Sequence, residues 1–330
     1  MKQQINNVKI AGTGSYLPAT IVTNADIEKT VDTTDQWIRN HIGVTERRIV
    51  TTETTSDLAA KAAINALESA GLFPADIDLI IVATSTPDRL APSTACIVQD
   101  KIKAYNAVAF DLAAVCSGFL FAYSTAAQFI AAGTYEHVLV IGADTFSKIT
   151  DWSRRDCVFF GDGAGAVVLS ENKNNDGMMN FRLFSDGRGK FNFTIPGGGS
   201  EFPVSQHTVD EGLRYFQMNG KAVFETAISK LPEAINQVLE DSCLTISNIK
   251  MLVPHQPNIN ILKETALRIN LPFEKVMVNL DKYANTSGAT IPIILDETYK
   301  TNKIAAGDYI LFAAVGSGWT WGAGIMKWTI

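Results

Sequence analysis

Cysteine is scarce in this chain. Four residues in 330 (Cys96, Cys116, Cys157, Cys243) are spread widely, and none forms a CxxC pair. That excludes a disulfide framework and a zinc site built on paired thiolates, and leaves single thiols to be explained. Histidine is equally rare, with four residues. Basic charge is outnumbered, 28 Lys and Arg against 34 Asp and Glu, for a formal net of −6. The positive field that holds nucleic acid or an anionic membrane surface is therefore missing. No apolar run reaches the ~18 residues of a membrane span. The polar start Met1-Lys2-Gln3-Gln4-Ile5-Asn6-Asn7 has no signal-peptide stretch. What is plentiful is apolar surface, 46% of residues, ample for a buried core. These features predict a cytoplasmic globular protein that handles small molecules, with no nucleic acid or membrane partner.

Short apolar runs alternate with longer helical patterns. Ile80–Ala83, Val108–Phe110, Val138–Ile141 and Val167–Leu169 read as buried strands, and Ser56–Ala70 and Gly118–Ala132 as helices, the first with Ser56 as N-cap and Gly71 past its end. The second half repeats the pattern, with strands at Ile249–Val253 and Ile310–Ala314 and a helix over Asn258–Ile269. Such alternation predicts sheets covered by helices. The polar stretch Glu171–Gly177 divides the chain near residue 175, into units 1–175 and 176–330. The units match each other in order. Leu67-Glu68, Leu72, Ile77 and Leu139 recur 172 residues later as Leu239-Glu240, Leu244, Ile249 and Leu311; Ser117-Gly118 recurs at 170 as Ser287-Gly288; Gly163-Ala164-Gly165 recurs at 159 as Gly322-Ala323-Gly324. Duplication would bring matching strand-to-helix turns face to face, here Ala114–Gly118 and Ala284–Gly288.

Cys116 follows an apolar strand and opens a helix. A thiol there has its thiolate favoured by the helix end, so a lowered pKa and a nucleophilic role are expected. The other three cysteines read as small core residues. His255 sits directly after a strand between Pro254 and Pro257, a stiff frame for a positioned polar group. Asn285 lies in a Tyr-Ala-Asn-Thr-Ser-Gly loop, where turn formation alone would also explain it. Ala314–Gly322 is a glycine-rich turn that reads either as a hairpin or as a source of N–H donors for an oxyanion. Gly12-Thr13-Gly14 lacks the third glycine of a dinucleotide fingerprint, Leu17 standing there, and Gly161–Gly165 reads as a hairpin turn with close packing. No metal-ligand cluster is evident.

With these residues in place, the chain closely resembles β-ketoacyl-acyl-carrier-protein synthase III of the thiolase superfamily. The resemblance runs nearly end to end, through Gly12–Pro18, Trp37-Ile38, Arg47-Arg48, Cys116–Phe119, Phe160–Gly165, Val253–Asn258, Asn285–Ser287 and Gly318–Gly322. It implies a five-layered αβαβα fold of two βαβαβαββ halves, the first carrying the nucleophile and the second the His and Asn, usually as a homodimer. It also implies a decarboxylative condensation with no metal or redox cofactor. Cys116 would take the acyl group from acyl-CoA, and the N–H groups of Cys116 and Gly318 would form the oxyanion hole. His255 and Asn285 would support decarboxylation of a malonyl thioester carried on acyl carrier protein or CoA. The product is a β-ketoacyl thioester, for fatty-acid initiation or a specialised pathway.

Trp37 and Arg154 would flank the CoA adenine, and Gly220 and Asn258 would line the pantetheine channel. The chain departs from the family at several points. His41 replaces a basic residue near Trp37. Ala91 stands where acetyl-selective members place a Phe that plugs the partner's acyl pocket, which predicts a primer longer than acetyl, at about 0.8 kcal/mol per buried CH₂. Glu225 and Asn260 thin the basic patch that docks carrier protein, while Lys263 and Arg268 remain. Two other outcomes stay open: acyl transfer to an oxygen or nitrogen nucleophile, and a non-enzymatic partner subunit. The retained Cys116 argues against the second, and Ser317 in place of a second cysteine argues against a degradative thiolase.

Overall fold

The computed structural model describes residues 5–174, 177 and 179–330. The division expected near residue 175 lies outside the described residues. A five-stranded sheet is built from β1 (Val8–Tyr16), β2 (Leu79–Ala83), β3 (Val108–Leu112), β4 (His137–Thr145) and β5 (Asp162–Glu171), in the order β1-β5-β4-β2-β3. A second sheet holds β6 (Met179–Ser185), β7 (Ile249–Pro254), β8 (Tyr309–Gly316) and β9 (Thr320–Lys327), in the order β7-β8-β9-β6. The longer helices are α1 (Thr55–Ala70), α2 (Thr94–Ile102), α3 (Gly118–Ala131), α4 (Gly220–Asp241), α5 (Ile259–Arg268) and α6 (Thr290–Lys300).

The two sheets follow one plan. In each, the second strand and the strand after the central helix run parallel, and the last strand returns antiparallel between that strand and the first. The third strand differs: β3 is a full parallel edge, whereas its counterpart is a single parallel bridge, Leu252 to Val276. Ile80 lies opposite Leu139, and Leu252 opposite Leu311, so the 172-residue spacing is the true register of the core. The glycine pattern needs correction. Gly142 pairs with Gly165 and Ala314 with Gly322, so Gly165 corresponds to Gly322, two residues from the expected match. Glycines at alternate positions fit either register, and a shift of two keeps the same face.

The layers follow from strand alternation. Leu79, Ile81 and Ala83 face the central layer with Phe119, Tyr123, Ile291 and Ile294, while Ile80 and Val82 face α1 and α2. α4 and α5 cover the outer face of the second sheet through Leu231, Ile235, Ile261 and Leu311. Strands covered on both faces read as continuous apolar runs, which is why they were visible in the sequence. Among the described residues no helix is long and apolar enough to cross a membrane.

Some local expectations change. The N-cap of α1 is Thr54, not Ser56: its hydroxyl accepts the Asp57 N–H, and Asp57 accepts the Thr54 N–H at 2.8 Å. Ser56 instead binds Asp88 through its N–H and its hydroxyl, at 2.9 and 2.6 Å. Gly71 closes the helix at φ +66°. Gly161–Gly165 is not a hairpin. It runs into β5, whose missing side chains let α6 approach closely. Of the three cysteines expected in the core, Cys96 and Cys243 are exposed and Cys157 packs inside.

Candidate active site

Two single 3-10 turns meet between the halves, Val115–Ser117 before α3 and Ser287–Ala289 before α6. Their backbones repeat residue by residue. Val115 and Ser287 have φ +48° and +52°. Gly118 and Thr290 open the helices at φ/ψ −54°/−44° and −58°/−48°. Cys116 therefore corresponds to Gly288, at the 172-residue spacing. The expected pairing of Ser117 with Ser287 was two residues out of register: a Ser-Gly pair occurs in both turns, but the shared requirement is a left-handed first residue. That conformation costs a non-glycine residue roughly 1–2 kcal/mol, strain that tends to persist at functional sites.

The turns touch because β4 has no side chain at Gly142, where a Cβ would collide with the Gly288 carbonyl oxygen. Cys116 is buried, and its Sγ donates to Ser287 Oγ across the halves at 3.8 Å. Burial pushes this thiol up from 9.0 to about 12; the Ser287 hydrogen bond opposes the rise and Asp144 adds to it. The expected lowering is thereby reversed. A rise of that size is worth about 4 kcal/mol, whereas a helix end supplies at most ~2 kcal/mol. The resting group is a thiol.

Asn285 is clamped by its backbone, donating to the Phe159 carbonyl at 3.0 Å and accepting from Gly161 N–H at 3.1 Å. Its Oδ1 accepts the Ser287 N–H at 2.7 Å. Only the oxygen can accept, so the amide orientation follows and the NH₂ remains as donor. His255 continues the β7 ladder through its N–H to the Ala313 carbonyl at 2.9 Å, and its Nδ1 lies 2.7 Å from Thr290 Oγ1. Burial pushes its pKa down to about 3, so the imidazole is neutral at pH 7.

Cys116, His255 and Asn285 line one cavity, together with Gly316 and Ser317 of the glycine-rich turn and an apolar wall of Phe159, Phe160 and Phe193. That turn is both things expected of it. It is the β8–β9 hairpin, and it presses on the nucleophile turn, since a Cβ at Gly316 would lie 3.1 Å from the Cys116 nitrogen. Gly318 lies between the cavity-lining Ser317 and Trp319. Among the described residues, no backbone carbonyl accepts from the N–H of Cys116 or Gly318.

The CoA residues expected from the sequence separate. Gly220, opening α4, and Asn258, the N-cap of α5, line the cavity. Asn258 Nδ2 also donates to the His41 carbonyl at 2.9 Å, tying the cavity to the helix Asp35–His41 that carries Trp37. Trp37 stacks on His41 with centroids 4.8 Å apart. The cation over Trp37 is Arg155, its guanidinium 3.9 Å from the ring, whereas Arg154 turns to Asp156 at 2.7 Å. The charge lying on the face of Trp37 is that of Arg155. Ala91 is exposed and does not line the cavity of its own chain.

Four residues around the site went unread in the sequence: Arg155, Ser287, Thr290 and Asp144. Asp144 is fully buried near the end of β4, ringed by the Ser85 N–H at 2.8 Å, Thr86 Oγ1 at 2.9 Å and the Gly288 N–H at 3.0 Å. The available signal was an acid closing an apolar strand, with Thr84-Ser85-Thr86 ending the neighbouring one.

A five-layered pair of matched α/β halves, with a cysteine, a histidine and an asparagine around one cavity, defines a thiolase-fold condensing enzyme. Two family models match, 3-oxoacyl-[acyl-carrier-protein] synthase III over residues 110–187 and the C-terminal region of the same synthase over residues 239–328. The β-ketoacyl-[acyl-carrier-protein] synthase III of Caldanaerobacter subterraneus subsp. tengcongensis is 48% identical over 97% of each chain. The crystal structure of 3-oxoacyl-[acyl-carrier-protein] synthase III from Aquifex aeolicus is 41% identical with TM-score 0.90, over 97% of this chain and 100% of that one. The priming β-ketosynthase of the R1128 polyketide pathway is 29% identical with TM-score 0.92, over 98% of this chain and 96% of that one. The chain belongs to the β-ketoacyl-[acyl-carrier-protein] synthase III family, and it is an acyltransferase of the condensing type.

Proposed function

We propose that Cys116 takes an acyl group from acyl-CoA and passes it to the carbanion formed when a malonyl thioester loses CO₂. The observation that carries this reading is the shared cavity of Cys116, His255 and Asn285, with His255 neutral and, among the described residues, no partner for the Asn285 NH₂. The N–H groups of Cys116 and Gly318 stabilise the tetrahedral oxyanion, a contribution of about 3 kcal/mol per donor. His255 and Asn285 then hold the malonyl thioester oxygen as the enolate forms. A neutral imidazole and a neutral amide suit a charge present only transiently. Thiol, amide and imidazole suffice for these steps, and no metal or redox cofactor takes part.

In this reading residues 1–175 supply the nucleophile and residues 176–330 the decarboxylating pair. Trp37, with Arg155 beside it and Arg154 further out, anchors the nucleotide end of CoA, while Gly220 and Asn258 guide the pantetheine. The malonyl donor is acyl carrier protein or CoA; Lys263 and Arg268, both exposed on α5, serve the former. The chain works as a homodimer in the cytoplasm, where reducing conditions keep its thiols free. The exposed Ala91 then reaches the partner's cavity, and the primer exceeds acetyl in length. Intact-protein mass spectrometry after mixing with acyl-CoAs from acetyl to dodecanoyl tests the reading. A single adduct on Cys116, favouring the longer chains, is expected. No adduct with any acyl-CoA overturns the nucleophile, and strict acetyl preference overturns the primer length.

A further inference from the structure

The two N–H groups assigned to the oxyanion come from opposite halves of the chain, and nothing covalent sets their spacing. Cys116 belongs to the turn Ala114–Ser117 before α3, and Gly318 to the tip of the β8–β9 hairpin, Gly316–Thr320. Both neighbours of Gly318 are already held. Ser317 Oγ donates to the Phe193 carbonyl at 2.5 Å, and the Trp319 N–H donates to the Asp186 carbonyl at 2.6 Å. Hairpin and nucleophile turn press together, since a Cβ at Gly316 would lie 3.0 Å from the Ser117 nitrogen and 3.1 Å from the Cys116 nitrogen. Among the described residues, every hydrogen bond joining these two segments passes through Thr320. Its Oγ1 lies 2.6 Å from Ser117 Oγ and 3.2 Å from the Ala114 carbonyl oxygen. Ser117 follows Cys116 directly and is fully buried, where a hydroxyl needs a partner. If Thr320 gives its hydrogen to Ser117, Ser117 gives its own to the Ala114 carbonyl at 2.8 Å. In the opposite sense, Thr320 gives its hydrogen to the Ser317 carbonyl at 3.1 Å. Both hydroxyls are satisfied either way, and the tie holds. Thr320 also pairs with Gly316 across the hairpin, closing the loop that carries Gly318.

We propose that Ser117 and Thr320 are positioning residues for the oxyanion hole: their hydroxyl pair holds the Cys116 and Gly318 N–H groups at one spacing, aimed at one oxygen. The proposal rests on Cys116 being the nucleophile and on those two donors. Neither Ser117 nor Thr320 lines the cavity, so neither touches substrate. Two donors serve one oxyanion only while both stay within hydrogen-bond reach of it, and a displacement of ~1 Å at a reacting centre can cost about a hundredfold. The decarboxylating pair is held independently. His255 bonds to Ala313 and Thr290, and the Asn285 backbone bonds to Phe159 and Gly161, with neither Ser117 nor Thr320 between them. Loss of the hydroxyl pair therefore falls on acylation and spares decarboxylation of a malonyl thioester.

The test follows two half-reactions in the full chain, Thr320→Val, Thr320→Ser, Ser117→Ala and the double variant of Ser117→Ala with Thr320→Val. Acyl-Cys116 formation is timed by rapid-quench mass spectrometry, using whichever acyl-CoA from acetyl to dodecanoyl labels the unaltered protein fastest. CO₂ release is counted from malonyl-CoA. Thr320→Val keeps the branched shape that opens β9 and removes only the hydroxyl. Its acylation rate at saturating acyl-CoA should fall about twentyfold, with the half-saturating concentration changed less than about twofold. CO₂ release should be unaltered. Thr320→Ser keeps the oxygen and should recover the rate to within about twofold. Ser117→Ala leaves Thr320 its bond to the Ala114 carbonyl and should lose about threefold. The double variant should be no slower than Thr320→Val, since both changes break one tie. Acylation of Thr320→Val at the unaltered rate overturns the proposal, as do an equal fall in CO₂ release, a slow Thr320→Ser, or losses that multiply in the double variant. Where Thr320→Val does not fold, Ser117→Ala decides by the same split: slower acylation with CO₂ release intact supports the tie, and unaltered acylation overturns it. Absence of an adduct on the unaltered protein fails the nucleophile reading instead, so the two failures are distinct.

Discussion

Val115 and Ser287 hold the same place in two copies of one turn, at φ +48° and +52°. The next residue is Cys116 in one copy and Gly288 in the other. The backbone has been kept and the side chains have diverged. The first copy carries a thiol; the second carries Asn285 before the turn, Ser287 within it and Thr290 after it, the last supporting His255. The edges of the halves diverge as well. β3 is a full parallel strand, while its counterpart has shrunk to the Leu252–Val276 bridge. Duplication supplied the frame that brings two helix starts together, and the chemistry came from making them unequal.

The largest expected effect falls on the thiol side. Cys116→Ala removes the sulfur proposed to hold the acyl group, so overall condensation should drop by at least about a thousandfold, with no acyl adduct in the mass spectrum. Next is the contact that brings the turns together. Gly142→Ala sets a Cβ against the Gly288 carbonyl, and a denaturant titration should show a loss of about 3 kcal/mol or outright failure to fold. A smaller effect separates the neighbouring arginines. Arg155→Ala should raise KM for acyl-CoA about fivefold with little change in kcat, as expected for losing a cation over an aromatic ring, while Arg154→Ala should change KM less than about twofold. The last prediction concerns pH, and at neutral pH it has no effect. Burial depresses the folded pKa of His255 to about 3, below the ordinary 6.5, so the unfolded chain binds one more proton in that window. Its contribution therefore weakens stability as pH falls from 6.5 toward 3, by up to about 1.4 kcal/mol per pH unit. His255→Asn should flatten the pH dependence of stability there, as measured by chemical denaturation.

Much of this was legible in the sequence. Ile80–Ala83 and Val138–Ile141 are covered on both faces, so their burial left uninterrupted apolar runs. Cys116, His255 and Asn285 stood at strand ends and turns, where chemistry-bearing residues have a reason to be. The misreadings share a cause: local pattern without depth. Cys96 lies on a helix with both buried and exposed faces and falls on the exposed one. The Ser-Gly pair in each turn suggested a register two residues off, because a left-handed residue leaves no fixed letter behind. The Cys116 pKa was misjudged because a sequence reports proximity to a helix start but not the loss of solvent around the sulfur.

The division of labour between the turns is tested most directly by following both half-reactions in one sample of Asn285→Ala. Acyl mass on Cys116 and CO₂ released from a malonyl thioester would be counted together. Acylation close to that of the unaltered protein, with CO₂ release down about a hundredfold or more, is the predicted result. Equal loss of both, or CO₂ release at the unaltered rate, would contradict the account.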